Sequence, residues 1–129
     1  AAEGVIAASH YVPTIENDAN AVFVDGFTAK IGRAPSEFAV QGYDAARALV
    51  EATKAGATDR ASLANALRQV TFDGPRGTLS IDPATNNIVQ PIYVYETVAG
   101  ADGLTQKVLA QLPSEADPAN GCVMDPVSN

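Results

Sequence analysis

The sequence predicts an α/β fold, and three observations carry that prediction. Residues 17 to 70 hold three successive amphipathic helical patterns. From Thr71 the chain changes to extended runs punctuated by turn formers. A short apolar run near the N-terminus suits one further strand. Helices with one apolar face need a sheet, or each other, to cover it. Here the strands are short and gathered at the two ends, so the inventory predicts a portion of a larger protein.

Residues 3 to 8, EGVIAA, form the apolar run and read as a buried strand, with Ser9-His10-Tyr11-Val12-Pro13 leading out of it. Asn17 or Asp18 is placed to cap the first helix, whose inward residues are Ala19, Val22, Phe23, Phe27 and Ile31 and whose end is Gly32. The clearest pattern runs from Pro35 to Gly56. Phe38, Gly42, Ala45, Ala46, Leu49, Val50 and Thr53 repeat on one helical face, with Ser36 as N-cap and Gly56 as a left-handed terminator. Gln41, Asp44, Arg47, Glu51 and Lys54 fall opposite and read as a solvated face laced by ion pairs. Thr58 or Asp59 caps a third helix with Leu63, Ala66, Leu67 and Val70 inward.

Phe72 to Gly77 is rich in turn formers, Thr78 to Ile81 alternates as a strand, and Asp82 to Asn87 is a tight connection. A hairpin follows, its second arm running from Ile88 to Val98, with Pro91 marking an edge or a bend. Ala99 to Gly103 turns the chain, Leu104 to Leu112 reads as a strand, and the Pro-containing tail from Pro113 is irregular.

Composition excludes several functions. The 129 residues, 47% of them hydrophobic, suit one folded unit, and 15 acids against 8 bases give a net charge of −7. Without a basic patch, nucleic acid and anionic membrane are poor partners. No apolar run is long enough to span a bilayer, and the first residues lack the pattern of a signal peptide. Cys122 is the single cysteine, which leaves no internal disulfide and no multi-cysteine metal site.

Catalytic constellations are lacking as well. His10 is the single histidine, Ser9 beside it is no triad by adjacency, and no G-x-S-x-G elbow occurs. Gly74-Pro75-Arg76-Gly77 lacks the Lys-Ser/Thr ending of a phosphate loop and reads as a turn. Asp82 to Asn87 lacks the spacing of a calcium loop, and Glu115 and Asp117 read as solvated carboxylates. Phe38, at the mouth of the second helix, serves either as a core plug or as the apolar wall of a pocket. No enzyme activity, metal or cofactor is expected.

The succession EGVIAASHYVPT, NDANAVFVDGFTAKIGRAPSEFAVQGYDAARALVEA, FDGPRGTLSID and QPIYVYETVAG resembles the C-terminal portion of type I periplasmic solute-binding proteins of ABC transporters, the leucine/isoleucine/valine-binding family. The likeness covers nearly the whole chain. It implies a periplasmic binding protein-like I fold, two three-layer α/β/α lobes joined by crossover segments, with a small solute trapped between them by hinge closure. Residues 1–9 would end a second-lobe segment and begin a crossover. Residues 10–90 would supply first-lobe helices and a hairpin, and 91–129 the return crossover with second-lobe strands and tail.

The resemblance makes Phe38 the aromatic that lines the solute side chain, and it places Ser9, His10 and Tyr11 at the crossover facing the cleft. It implies a periplasmic or extracytoplasmic receptor for a small amino acid or a related carboxylate or aromatic acid. Its partners would be an ABC permease and either the N-terminal part of the same protein or an oligomer that swaps elements. A ligand-sensing regulatory domain of the same fold is the alternative. In a secreted protein Cys122 would be expected to pair with a cysteine of that N-terminal part.

Overall fold

The computed structural model describes residues 2–101, 103–118 and 121. In chain order the elements are β1 (Ile6–Ser9), α1 (Asp18–Ile31), α2 (Glu37–Lys54), α3 (Arg60–Leu67), β2 (Thr71–Gly74), β3 (Gly77–Ile81), β4 (Ile88–Val89), β5 (Ile92–Gly100) and β6 (Gly103–Leu112). The strands make two separate antiparallel sheets, β1-β5-β6 and β2-β3-β4. The chain passes between them twice: through residues 10–17 into α1, and back through Gln90–Pro91 into β5. Cys122 lies outside the described residues.

Local chemistry sets the helix ends. The Asn17 side chain accepts from the Asn20 N–H at 2.8 Å, and Gly32, at φ 79°, donates its N–H to Thr28 O at 2.8 Å. Ser36 is the N-cap residue of α2 without a side-chain cap bond, and Gly56 takes φ 99° just past its end. Asp59 and Ser62 close a reciprocal capping box on α3.

The core is small. Tyr11, Val12, Ile15, Phe23, Val40 and Tyr93 pack together, flanked by Phe27, Ala39, Tyr95 and Val108. Asn20 is buried among them and spends its amide fully. It accepts from the Tyr11 hydroxyl at 3.0 Å and donates to Pro13 O at 2.9 Å and Ile15 O at 2.7 Å. Across the β5–β6 hairpin a bulge falls between Val94 and Tyr95. These residues face Ala110 and Val108, so Leu109 is the extra residue.

The structure corrects several expectations. The predicted inner face of α2 is open in this chain: Phe38 is 74% exposed, and Leu49 and Val50 are exposed too. The covered residues are Val40, Asp44 and Ala52, so Phe38 plugs nothing within this chain and Asp44 is not solvated. The reason is tertiary. Arg76 reaches Asp44 from the β2–β3 hairpin and makes a carboxylate tolerable on the covered side, which periodicity cannot report.

On α1, Val22 is 71% exposed and Ile31 is exposed, while Phe23 is buried as expected. Strand β1 is largely exposed rather than buried. The arm predicted as continuous from Ile88 to Val98 breaks at Gln90–Pro91, and its halves join different sheets. Strand β5 runs on to Gly100, two residues past the predicted end at Val98, and β6 begins at Gly103, one residue before the predicted start.

These open faces leave the chain with 8150 Å² of accessible surface. A compact monomer of 13.3 kDa has about 6,450 Å². Uncovered apolar area forgoes roughly 25 cal/mol per Å², so a few hundred Å² rival the whole stability of a domain. The isolated chain should therefore self-associate or lack a cooperative thermal transition. Sedimentation as a monomer, together with sharp unfolding, would show that it closes its own core. In an assembly that covers these faces, Asp44→Ala should lower stability by about 3–5 kcal/mol in chemical denaturation, because it strands a buried guanidinium.

Candidate functional site

The two passages between the sheets converge on the tip of the β2–β3 hairpin. Gly74 pairs with Gly77, so Pro75 and Arg76 alone make the loop. Gly77 stands at φ 96°, and a Cβ there would meet Pro91 Cγ at 3.2 Å and the Tyr93 hydroxyl at 3.4 Å. Connecting loops ordinarily run over the surface, but here Pro75 is fully buried and Arg76 is only 3% exposed.

Four elements hold this tip. The Asn17 amide donates to Pro75 O at 3.1 Å, and the Tyr93 hydroxyl donates to Arg76 O at 2.9 Å. Arg76 Nε donates to Asp44 Oδ2 at 2.6 Å, and its Nη1 donates to Gln90 Oε1. Asp44 is 2% exposed and rests against Gly74, where a Cβ would stand 3.0 Å from Oδ1. Burial pushes the Asp44 carboxyl up from its ordinary value, and Arg76 offsets part of that rise.

His10 lies beside this cluster, half-buried, with Nε2 3.1 Å from the Gln41 amide nitrogen. With that amide donating, Nε2 accepts and Nδ1 carries the ring proton, an assignment that follows from the contact. Burial, then the Arg76 charge, lower the His10 pKa below its ordinary 6.5; Glu37 and Asp44 pull the other way. Phe38 stands three residues before Gln41 in the first turn of α2, the spacing of neighbours on one helix face, and its ring is open.

Ser9 ends β1 opposite Tyr93, and its hydroxyl oxygen accepts from the Tyr11 N–H at 3.3 Å. Tyr11 departs from its expected place. It is 3% exposed and its hydroxyl is committed to Asn20, so it faces the core and not an open cleft.

A cavity of about 210 Å³ lies between α2 and the β2-β3-β4 sheet, lined by Gln41, Ala48, Phe72, Leu79 and Ile88 among others. Among the described residues no cluster of metal-ligating side chains occurs, and no helix is long and apolar enough to cross a membrane. Sequence reasoning missed Asp44, Arg76, Gln41 and Gln90. One signal was available: Asp44 stands one turn from Val40 and two from Ala52, the line that proves to be covered.

Residues 1–103 match the family model described as periplasmic binding protein. A Leu/Ile/Val-binding protein homolog of Brucella abortus is 31% identical over 121 residues, covering 89% of this chain and 31% of its own length. A solute-binding protein of an ABC transporter from Rhodopseudomonas palustris, solved with 3,4-dihydroxybenzoic acid, superposes with a TM-score of 0.85 at 33% identity. It covers 92% of this chain and 33% of its own. Another from R. palustris, solved with benzoate, gives 0.81 at 34% identity over 94% of this chain and 33% of its own. The chain thus spans about a third of the length of these relatives. Its fold is that of the corresponding part of a type I solute-binding protein, and the chain belongs to the periplasmic binding protein family.

Proposed function

We propose that this chain is the C-terminal portion of an extracytoplasmic solute receptor of an ABC importer. Residues 1–9 end a segment of the second lobe, 10–90 build helices and a hairpin of the first, and 91–129 return to the second. The receptor holds a small carboxylate-bearing solute, an aromatic acid or an amino acid, between its lobes and delivers it to a membrane permease. Its role is binding, not catalysis.

One observation carries the reading. A large aromatic ring, Phe38, lies open in the first turn of α2, three residues before Gln41, whose amide meets His10 where the chain leaves β1. The acids bound by the two R. palustris relatives each join an aromatic ring to a carboxylate. Phe38 offers a face for such a ring, and Ser9 and His10 offer a hydroxyl and an imidazole for the polar end. Tyr11 supports this corner from behind, in the core. The open stripe of α2 is then the face on which the rest of the receptor packs.

The reading is tested on the full-length protein by thermal shift with benzoate, 3,4-dihydroxybenzoate and leucine. A ligand that binds the folded state raises Tm increasingly as its concentration exceeds Kd, and no rise with any of the three would overturn the proposal. Phe38→Ala should weaken binding by about 1–3 kcal/mol, read by titration calorimetry, as a lost aromatic contact requires.

His10 supplies an independent check by NMR titration of its imidazole, which should have its midpoint below 6.5 in the free protein. Because folding lowers this pKa, the stability it contributes is complete above 6.5 and is lost as pH falls through the folded value. A carboxylate bound nearby favours the charged ring, so the midpoint should rise on binding. An unmoved midpoint would place the ligand's carboxylate elsewhere.

A further inference from the structure

Two units meet in this chain, the helices with the β2-β3-β4 sheet on one side and the β1-β5-β6 sheet on the other. Rotation between them needs a place where distances stay constant. Among the described residues, and beyond the local bond from Tyr11 N–H to the Ser9 hydroxyl, three side-chain hydrogen bonds run from one unit to the other. Thr14 donates to Gln106 O at 2.7 Å, the Asn87 amide donates to Asp117, and the Tyr93 hydroxyl donates to Arg76 O at 2.9 Å. The first is partly buried and the second exposed. The third is buried, and it lies at the hairpin tip.

That tip is suited to stay rigid. Proline restrains its first residue, glycines flank it on both sides, and its charge is fixed from two directions by Asp44 and Gln90. Gln90 and Pro91 form the return passage itself, and Pro91 lies against Gly77. Tyr93 completes the link, its ring in the shared core and its hydroxyl on the Arg76 carbonyl.

We propose that Arg76 is a positioning residue for lobe closure: clamped to Asp44 and Gln90, and bonded through its carbonyl to Tyr93, it makes the hairpin tip the pivot about which the two units turn. Arg76 touches no solute. It limits the orientations open to the ligand-free units, so losing the restraint adds an ordering cost to closure that enters every apparent affinity as one common factor. This inference rests on the receptor reading above.

The test uses the full-length receptor carrying Tyr93→Phe or Gln90→Leu, both of which leave the buried Arg76–Asp44 pair intact. Calorimetry gives Kd for benzoate, 3,4-dihydroxybenzoate and leucine, and small-angle scattering gives the radius of gyration without ligand. In each variant every Kd measurable in the wild type should rise by the same factor, about fivefold or more, and the ligand-free radius should increase. Phe38→Ala, by contrast, should change Kd and leave the ligand-free radius alone. Unchanged Kd, or a Kd that rises with the radius unchanged, would overturn the pivot while leaving the receptor reading intact. A wild type that binds none of the three would overturn the receptor reading, and the pivot with it.

Discussion

A buried charge governs this structure. Arg76 enters a place that water does not reach, and a lone guanidinium there would cost several kcal/mol even after relaxation. Asp44 and Gln90 make the position tenable, and the result constrains more than it stabilises. Replacing such a pair with apolar residues is often neutral in stability, but only one docking of the hairpin satisfies the charged version. Helix α2 must present its Asp44 side to the hairpin, and its apolar stripe is consequently turned the other way. Phe38, Leu49 and Val50 lie on the side of the helix that this chain leaves open.

The same geometry concentrates what core this chain has near the proposed site. Its own apolar contacts concentrate around Tyr11, Phe23 and Tyr93, where the two sheets approach each other. Tyr11 and Phe23 meet edge to face at 6.2 Å, and Phe23 stacks obliquely on Tyr43 at 4.7 Å, so aromatic packing holds α1 to α2 behind the His10 corner. The corner is thus supported by rigid elements, while the surface it faces stays open for material from outside this chain.

Much of the fold was legible in the sequence because much of it is set locally. Asn17, Gly32 and Asp59 announce helix ends through bonds that span a few residues, and turn formers place the connections after β3 and β5, whereas residues 72–74, read as part of a turn, belong to strand β2. What periodicity could not supply was which face of a helix would be covered, and by what. Val22 and Ile31 look inward by spacing yet are exposed, because the covering surface lies elsewhere in sequence. Asp44 looks solvated because nothing nearby in sequence names Arg76, which lies 32 positions away. Of the proposed site, Phe38, Ser9 and His10 come from the family resemblance alone. Gln41 and Gln90 were not readable, since their partners are set by tertiary contact.

The bulge in the β5–β6 hairpin gives this part of the chain an unusual latitude toward changes of length. In a regular strand, removing one residue throws every side chain beyond it to the opposite face. Here Val94 faces Ala110 and Tyr95 faces Val108, with Leu109 supernumerary between them. Excising Leu109 would bring those partners into an unbroken ladder, leave Val108 beside Tyr93 and Tyr95 on the core, and move nothing else out of register. The hairpin therefore holds one position at which a single-codon deletion keeps the face of every other residue and changes only the local bend, set within ten residues where a deletion in a regular ladder would invert a face.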